Sequence, residues 1–182
     1  FGYRDSRFKR ERDEWVITAV EFRLHKNHPL KMNYAGVPEE LAGMGIAEPK
    51  AVHLAEAISR IRSRKLPNPA LLGNAGSFFK NPIVSNAFAE ALKLSHPNAP
   101  VFAFGDDQHK KISAAWLIEQ AGWKGFRQGD AGIAEQHALV LVNYGLATGQ
   151  QLLELARQVV ASVSDNFGIT LEPEPRIIGA DF

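Results

Sequence analysis

The sequence predicts an α+β fold, with mixed or antiparallel sheets and helices packed against them. Strand-like and helix-like segments follow one another without the regular alternation that a doubly wound parallel sheet requires. Several segments with three- to four-residue apolar spacing begin after a hydroxyl residue that is suited to cap a helix. Hydrophobic residues make up 45% of the 182 residues, which is enough to bury a sizeable core.

The N-terminal third is predicted to contain one strand and one helix. Residues 15–24 predict a strand because apolar and β-branched side chains alternate along one side: Val16, Thr18, Val20, Phe22 and Leu24. Residues 25–45 contain several prolines and glycines, so we expect a long connection with at most one helical turn. Residues 49–65 place apolar residues at helical spacing and gather basic residues at the end, which predicts a helix. The prolines of KLPNP then indicate a stiff link and a domain boundary.

The remaining elements are predicted from their caps and apolar runs. Three helices are expected to begin after hydroxyl N-caps: Ser85, Ser113 and Thr148. Two of them are expected to end at a glycine: Gly122 and Gly168. Residues 99–113 predict a short strand followed by a turn, whereas residues 137–143 form an apolar run that predicts a buried strand. The tail, residues 169–179, is expected to be extended and interrupted by prolines.

Composition excludes several classes of function. The formal net charge is +1, so no overall basic field predicts binding to nucleic acid or to an anionic membrane. Cysteine is absent, which excludes disulfides, thiolate metal sites and a cysteine nucleophile. The six histidines show no metal-ligand spacing, so no metal site is predicted. No apolar run reaches the roughly 20 residues of a membrane span, and a cytoplasmic protein is expected.

The motif GNAGSFFKNP, residues 73–82, is the main candidate site. Gly73 and Gly76 permit close approach of a ligand to the backbone, and the two phenylalanines that follow are expected to anchor the segment by burial. Ser77 is therefore held in place and could act as a nucleophile, a hydrogen-bond donor or a proton donor. The alternative is a glycine-rich turn whose serine only satisfies backbone groups.

Other polar side chains have both a functional and a structural interpretation. Three residues around the motif could hold a phosphate or could simply be solvated: Lys65, Lys80 and Asn81. Prolines on both sides of Glu174 could aim its carboxylate at a ligand, although an edge-strand glutamate facing solvent is the ordinary interpretation. Arg4 suits a ligand carboxylate or a surface ion pair with aspartate. Among the histidines, only His137 precedes a predicted buried strand.

Five motifs in one order carry a resemblance to a known family. They are FGYRDSRFK, RKLPNP, GNAGSFFKNP, HALVLVN and LEPEPRIIG. Together they resemble the UDP-N-acetylenolpyruvoylglucosamine reductases, the MurB family, with a loop around Tyr34 like that of the type I branch. The resemblance implies a bacterial flavoenzyme of peptidoglycan synthesis. Such an enzyme uses FAD and NADPH to reduce UDP-N-acetylglucosamine enolpyruvate to UDP-N-acetylmuramate.

The resemblance also implies roles for individual residues. Ser77 matches the proton donor, Arg4 matches the arginine that stabilises charge on the substrate carboxylate, and Glu174 matches the glutamate that assists the enol intermediate. Substrate contacts are implied for five residues, of which the last two are alternatives for the uridine: Tyr34, Lys65, Asn81, Gln136 and His137. Arg176 resembles an arginine near the flavin.

The resemblance implies three parts in this chain. Residues 1–66 correspond to the second part of the FAD-binding domain, residues 67–168 to the substrate-binding domain, and residues 169–182 to a tail that carries Glu174. The family's N-terminal FAD region, which would precede Phe1, is expected to be a necessary partner, and this chain alone is expected to be inactive. One alternative is a non-catalytic UDP-sugar-binding module. A serine hydrolase is a more distant alternative, because no acid and base are recognisable beside Ser77.

Overall fold

A computed structural model describes residues 1–11, 13–26 and 28–182, apart from the side chain of Asp106. The chain divides into two compact units, Phe1–Arg62 and Ser63–Phe182. Helices α1, α2 and α3 span Arg7–Arg10, Val37–Gly43 and Ala51–Lys65. No helix in the described ranges is long and apolar enough to cross a membrane.

The first unit has a small helical core. Val37 and Leu41 of α2 are buried together with Ala57 of α3, and apolar residues of α3 pack around them. Gly36 precedes α2 with a φ of +87°, a conformation that glycine adopts without strain. Helix α2 has seven residues, so the expectation of at most one helical turn in residues 25–45 is wrong. The predicted helix over residues 49–65 is confirmed as α3.

The strand predicted over residues 15–24 is wrong. This segment forms no ladder with any described residue, and its apolar side chains are exposed, with Val16 at 89% and Leu24 at 81%. Alternation of side chains gives a segment a suitable apolar face, but a strand is stabilised by pairing with a neighbour and by burial of that face. The described part of the first unit offers no partner strand, so the pattern alone does not produce one.

The second unit contains two antiparallel sheets and three helices. The four-stranded sheet has the order β1-β7-β6-β5, and the three-stranded sheet has the order β2-β4-β3. The strands are β1 Gly73–Ser77, β2 Ile83–Ser85, β3 Val101–Phe104, β4 Asp106–Ile112, β5 Arg127–Gln128, β6 Ala131–Ile133 and β7 Val140–Asn143. The helices are α4 Asn86–Ser95, α5 Ala114–Gln120 and α6 Gly149–Phe167. This architecture confirms the α+β prediction.

The helix caps form as the sequence predicts. The hydroxyls of Ser85 and Ser113 accept from the backbone N–H three residues later, and Thr148 forms a reciprocal capping box with Gln151. Gly168 ends α6 with a φ of +66°. The inward face of α6 then joins both sheets in the main core, through Leu155, Ala156, Val159 and Val163.

One close approach inside the four-stranded sheet gives a stability prediction. A Cβ on Gly132 would lie 2.7 Å from Cε2 of Tyr144 and 2.9 Å from the carbonyl oxygen of Phe126. Gly132→Ala is therefore expected to lower the free energy of unfolding by about 1–3 kcal/mol. The matched control is Gly149→Ala in the first turn of α6, where an added Cβ meets nothing within 4 Å and about 0.4–1 kcal/mol of stabilisation is expected. Urea titrations should move in opposite directions, and equal midpoints would contradict this packing.

Candidate functional site

A β-bulge shapes the GNAGS segment. Asn74 pairs with Val142 and Ser77 pairs with Val140, so two residues of β1 lie opposite Leu141 alone. The second of these two, Gly76, has a φ of +74°. A glycine in this left-handed region is typical of a bulge in an antiparallel pair. The interpretation of the segment as a glycine-rich turn is therefore wrong, because it is a strand with one extra residue.

The bulge decides which face of the sheet carries Ser77. Residues directly opposite each other in an antiparallel pair point to the same face, so Asn74 and Ser77 share the face of Val142 and Val140. Both valines pack in a small cluster with Ala134, whereas Leu141 belongs to the main core on the opposite face. In a regular strand, residues three positions apart would point to opposite faces. The extra residue brings them to one face.

The side chain of Asn74 holds the bulge and the segment before it. Its Nδ2 donates to the carbonyl oxygens of Leu72 at 2.8 Å and of Pro67 at 3.3 Å, and its Oδ1 accepts from the N–H of Gly76 at 3.0 Å. The half-buried Ser77 hydroxyl makes no hydrogen bond with the described residues of its unit. The side chain of Asn74, and not that of Ser77, thus satisfies backbone groups at the bulge.

The segment that follows Ser77 pairs with the tail. The N–H of Glu174 donates to the carbonyl oxygen of Phe78 at 2.7 Å, and the N–H of Lys80 donates to the carbonyl oxygen of Glu172 at 2.9 Å. An isolated antiparallel bridge joins Phe79 and Pro173 between them. The structure therefore places the backbone of Glu174 beside the residue that follows Ser77, although the two are far apart in sequence.

The two cations predicted beside the motif have different surroundings. Lys80 forms an ion pair with Glu172, with Nζ 2.9 Å from Oε2. Lys65, at the end of α3, lies close enough to His137 for its charge to lower the pKa of that imidazole. Lys124 acts on His137 in the same way and forms an ion pair with Glu119 at 2.8 Å. The positive charges of two lysines thus act on His137.

His137 is held in one tautomer by the backbone. Its Nδ1 accepts from the N–H of Leu139 at 3.2 Å, and its carbonyl oxygen accepts from the N–H of Val140 at 3.0 Å. A neutral imidazole that accepts at Nδ1 carries its proton on Nε2. Burial is the main cause that lowers the pKa of His137, followed by the charges of the two lysines. Glu119 raises the pKa and only partly offsets them.

The lowered pKa of His137 predicts a pH dependence of stability. Because the folded chain binds this proton less tightly than the unfolded chain, the stabilisation is fully present above about pH 6.5, the ordinary pKa of histidine. It is lost as the pH falls through the lower pKa of the folded state. His137→Asn removes the titration, and its Oδ1 can still accept from the N–H of Leu139. Denaturant titrations of this variant should lose less stability than wild type between about pH 7.5 and about pH 5.5.

A matched control for this substitution exists in α3. The Nδ1 of His53 also accepts a backbone N–H, from Lys50 at 3.2 Å. His53→Asn therefore controls for replacing an imidazole that accepts from the backbone. An unchanged pH dependence in His137→Asn would contradict the charge environment assigned to His137.

The remaining predicted site residues of the second unit lie at different depths. Asn81 is half-buried, and its Oδ1 accepts from the N–H of Ala114 at 2.9 Å, which ties the residue to the start of α5. Gln136 and Arg176 are exposed. The part of the chain that the structure describes contains no cluster of histidine, aspartate or glutamate suited to a metal ion.

Arg4 and Tyr34 belong to the first unit. Arg4 lies in a turn closed by the bridge between Gly2 and Asp5, with a φ of +54°, and its Cζ is 5.7 Å from the centre of the Tyr3 ring. Tyr34 is 39% exposed, and its carbonyl oxygen accepts from the N–H of Val37 at 3.1 Å. The approach of these two side chains to Ser77 stays a prediction.

Sequence reasoning missed two residues of this region, Asn74 and Lys124. Asn74 stands inside the quoted motif, two residues before Gly76, and an asparagine whose side chain bonds to a backbone N–H two residues on is a known local pattern. That spacing was a usable signal. Lys124 has no such signal, because only the fold brings it near His137.

The second unit is an α+β domain with two antiparallel sheets. In it, the backbone of Glu174 lies beside Phe78, the residue that follows Ser77. Residues 68–178 match the family described as UDP-N-acetylenolpyruvoylglucosamine reductase, C-terminal domain, and the chain belongs to this family. This match confirms the resemblance carried by the five motifs.

Two curated relatives agree with the family match. The chain is 56% identical over 182 residues to the UDP-N-acetylenolpyruvoylglucosamine reductase of Xylella fastidiosa (strain 9a5c), covering 100% of this chain and 52% of the relative. It is 54% identical over 180 residues to the reductase of the same name from Xanthomonas euvesicatoria pv. vesicatoria (strain 85-10), covering 99% and 51%. The crystal structure of UDP-N-acetylenolpyruvylglucosamine reductase (MurB) from Thermus caldophilus aligns at 29% identity with a TM-score of 0.41, covering 69% and 33%. The chain spans about half the length of the curated relatives it matches.

Proposed function

We propose that this chain is the substrate-binding part of a bacterial reductase that converts UDP-N-acetylglucosamine enolpyruvate to UDP-N-acetylmuramate in peptidoglycan precursor synthesis. One observation carries the proposal. In a chain of this family, the bulge of β1 puts the Ser77 hydroxyl on one sheet face, and the tail places the backbone of Glu174 beside Phe78. This backbone pairing supports the proposal that the Ser77 hydroxyl and the Glu174 carboxylate, from distant parts of the sequence, serve one site. Since the substrate is a nucleotide-linked precursor, we place the protein in the cytoplasm.

The diphosphate of the substrate is proposed to bind near His137. Lys65 and Lys124 supply positive charge there, which suits a diphosphate more than a neutral sugar. The amide of Asn81, fixed at the start of α5, is proposed to contribute a polar contact, and Tyr34 to close over the substrate. Between the two alternatives for the uridine we favour His137, because its Nε2–H points away from the backbone bond made by Nδ1. Gln136 is exposed and is the weaker alternative.

Ser77 is proposed to deliver the proton that completes the reduction. Addition of a hydride at C3 of the enolpyruvyl double bond leaves an electron pair at C2, in a carbanion or enol. The O–H bond of Ser77 then breaks, the proton bonds to C2, and solvent restores the hydroxyl. An alcohol is a weak acid, so this transfer requires a strongly basic carbon next to it and the exclusion of water. Glu174 is proposed to assist the enol intermediate, and Arg4 to stabilise charge on the substrate carboxylate.

FAD, reduced by NADPH, would supply the hydride. Arg176 is the residue of this chain that we assign to the flavin, and it lies exposed in the tail after Pro175. One exposed arginine does not make a flavin site. Because the relatives are about twice as long as this chain, we propose that the main flavin contacts come from a preceding region of the same protein. In this arrangement residues 1–66 complete the flavin domain, residues 67–168 bind substrate, and residues 169–182 deliver Glu174.

The proposal is tested by assaying the full-length protein that contains this chain. It should be yellow, oxidise NADPH, and form one UDP-N-acetylmuramate for each enolpyruvyl sugar consumed. A second candidate is a non-catalytic UDP-sugar-binding module, which the lysine charges acting on His137 suit equally well because holding a diphosphate needs no flavin. A colourless protein that binds the UDP-sugar without oxidising NADPH would support the module and would contradict the reductase.

A further inference from the structure

We propose that Asn74 and Gly76 are positioning residues that set the orientation of Ser77 by maintaining the bulge in β1. The inference rests on the proposed function for the meaning of Ser77 as a proton donor. Its structural part, that these two residues decide which sheet face Ser77 occupies, is independent of the reaction. Neither residue has to touch the substrate for this role.

Strand periodicity makes the orientation an all-or-none property. A one-residue change in the register of a strand turns each side chain beyond it to the opposite face. If the bulge were lost without other change, Ser77 would face the side of Leu141, which is the main core, and not the side of Val140. A hydroxyl there would be buried among apolar residues and would be unable to reach a polar substrate.

Gly76 permits the bulge because of its backbone conformation. Its φ is +74°, a backbone conformation that residues with a Cβ rarely adopt. An added Cβ would meet nothing within 4 Å. Gly76→Ala therefore changes the backbone preference without creating a clash. Gly129, in the turn between β5 and β6, has a φ of +61° and is equally open. Gly129→Ala thus imposes similar backbone strain away from Ser77 and is a matched control.

The side chain of Asn74 stabilises the bulge through hydrogen bonds. Its Oδ1 holds the N–H of Gly76, while its Nδ2 holds the carbonyl oxygens of Leu72 and Pro67. Pro67 follows Lys65 by two residues, so the same amide connects the bulge to the segment that carries a proposed phosphate contact. Asn74→Ala is expected to displace both Ser77 and the segment that carries Lys65, whereas Gly76→Ala is expected to displace Ser77 alone.

The structural part of the proposal can be measured with a single thiol. The chain contains no cysteine, so Ser77→Cys introduces one reporter whose reaction with 5,5′-dithiobis(2-nitrobenzoate) depends on its exposure. Adding Gly76→Ala should slow labelling roughly tenfold as the thiol turns toward the core. Adding Gly129→Ala should leave the rate within about twofold of Ser77→Cys alone. An equal rate in folded Gly76→Ala and Gly129→Ala backgrounds would overturn the proposal. Should Gly76→Ala unfold the chain, Asn74→Ala is expected to change the rate, and an unchanged rate there overturns it too.

The catalytic part is tested by non-additivity in the full-length protein. Gly76→Ala should lower kcat by roughly 10²–10⁴-fold, as loss of the general acid does, because the hydroxyl turns away from the substrate, and KM for the enolpyruvyl sugar should be nearly unchanged. Asn74→Ala should also raise KM. In a Ser77→Ala background, Gly76→Ala should cause no further loss, since the group that it positions is absent. If the losses of kcat from Gly76→Ala and Ser77→Ala were additive, Gly76 would have a merely structural role. A wild-type protein without sugar reduction would contradict the proposed function, while the thiol labelling would still decide the positioning role.

Discussion

If the full-length protein is the proposed reductase, replacing Ser77 by alanine is expected to lower its kcat for reduction of the enolpyruvyl sugar by roughly 10²–10⁴-fold, the usual contribution of a general acid. The residue is half-buried at the end of the bulge, and its hydroxyl makes no hydrogen bond to described residues of its unit, so its removal leaves the backbone pairing intact. In the proposed reaction, reduction of the flavin by NADPH does not use this proton. Stopped-flow measurements should therefore show normal flavin reduction followed by very slow reoxidation by the sugar.

Two further serine variants sharpen this experiment. Ser77→Thr keeps a hydroxyl and should retain more activity than Ser77→Ala. Ser95→Ala removes a hydroxyl that donates to the carbonyl oxygen of Leu92 at 3.1 Å, near the C-terminal end of α4, and should leave turnover unchanged. A wild-type rate of flavin reoxidation in Ser77→Ala would contradict the proposed role of Ser77 as proton donor, whatever the other variants show.

Phe79→Ala is expected to cause the largest loss of stability, about 3–5 kcal/mol in the free energy of unfolding. Phe79 is 1% exposed, belongs to the main core and packs edge-on against Phe78 with ring centres 5.0 Å apart. Truncation would remove this apolar contact area and leave a cavity that the surrounding sheet and helices fill only in part. Urea unfolding followed by circular dichroism measures the loss.

The control for Phe79→Ala is a phenylalanine on a sheet edge. Phe102 of β3 is 48% exposed, and Phe102→Ala is expected to cost less than about 1 kcal/mol, as surface changes usually do. Since the ring of Phe79 also packs against that of Phe182, with ring centres 6.3 Å apart, its truncation should loosen the C-terminal end of the tail. A loss in Phe79→Ala no greater than that in Phe102→Ala would contradict the assigned core.

Sequence predicts the features of the fold that depend on interactions between residues close together along the chain. The hydroxyls of Ser85, Ser113 and Thr148 cap their helices as expected, because a cap needs only the next three residues. The buried strand β7 is predicted by its apolar run. These features depend on local hydrogen bonds or on simple burial.

Features that depend on distant partners were missed. The segment 15–24 has the side-chain alternation of a strand but no described partner strand. The sequence of β4 is mostly polar, and it forms a strand because it pairs with β2 and β3 on its two sides. The bulge in β1 exists only relative to the register of β7. For the candidate site, the motif showed that Ser77 was unusual, but only the pairing of the tail shows that the Glu174 backbone lies beside Phe78.

The proposed function requires that the sheet face carrying Ser77, together with Lys65 and His137, binds a UDP-sugar. The most direct test is a titration of the isotopically labelled 182-residue chain with UDP-N-acetylglucosamine enolpyruvate, followed by amide chemical shifts. The largest changes should fall on the amides of Lys65, Ser77, Asn81 and His137, and Lys65→Ala should weaken binding by about 1.5–3 kcal/mol, as for a lost charged hydrogen bond. The absence of binding, or changes confined to the pocket lined by Phe88 and Phe167, would contradict this binding site.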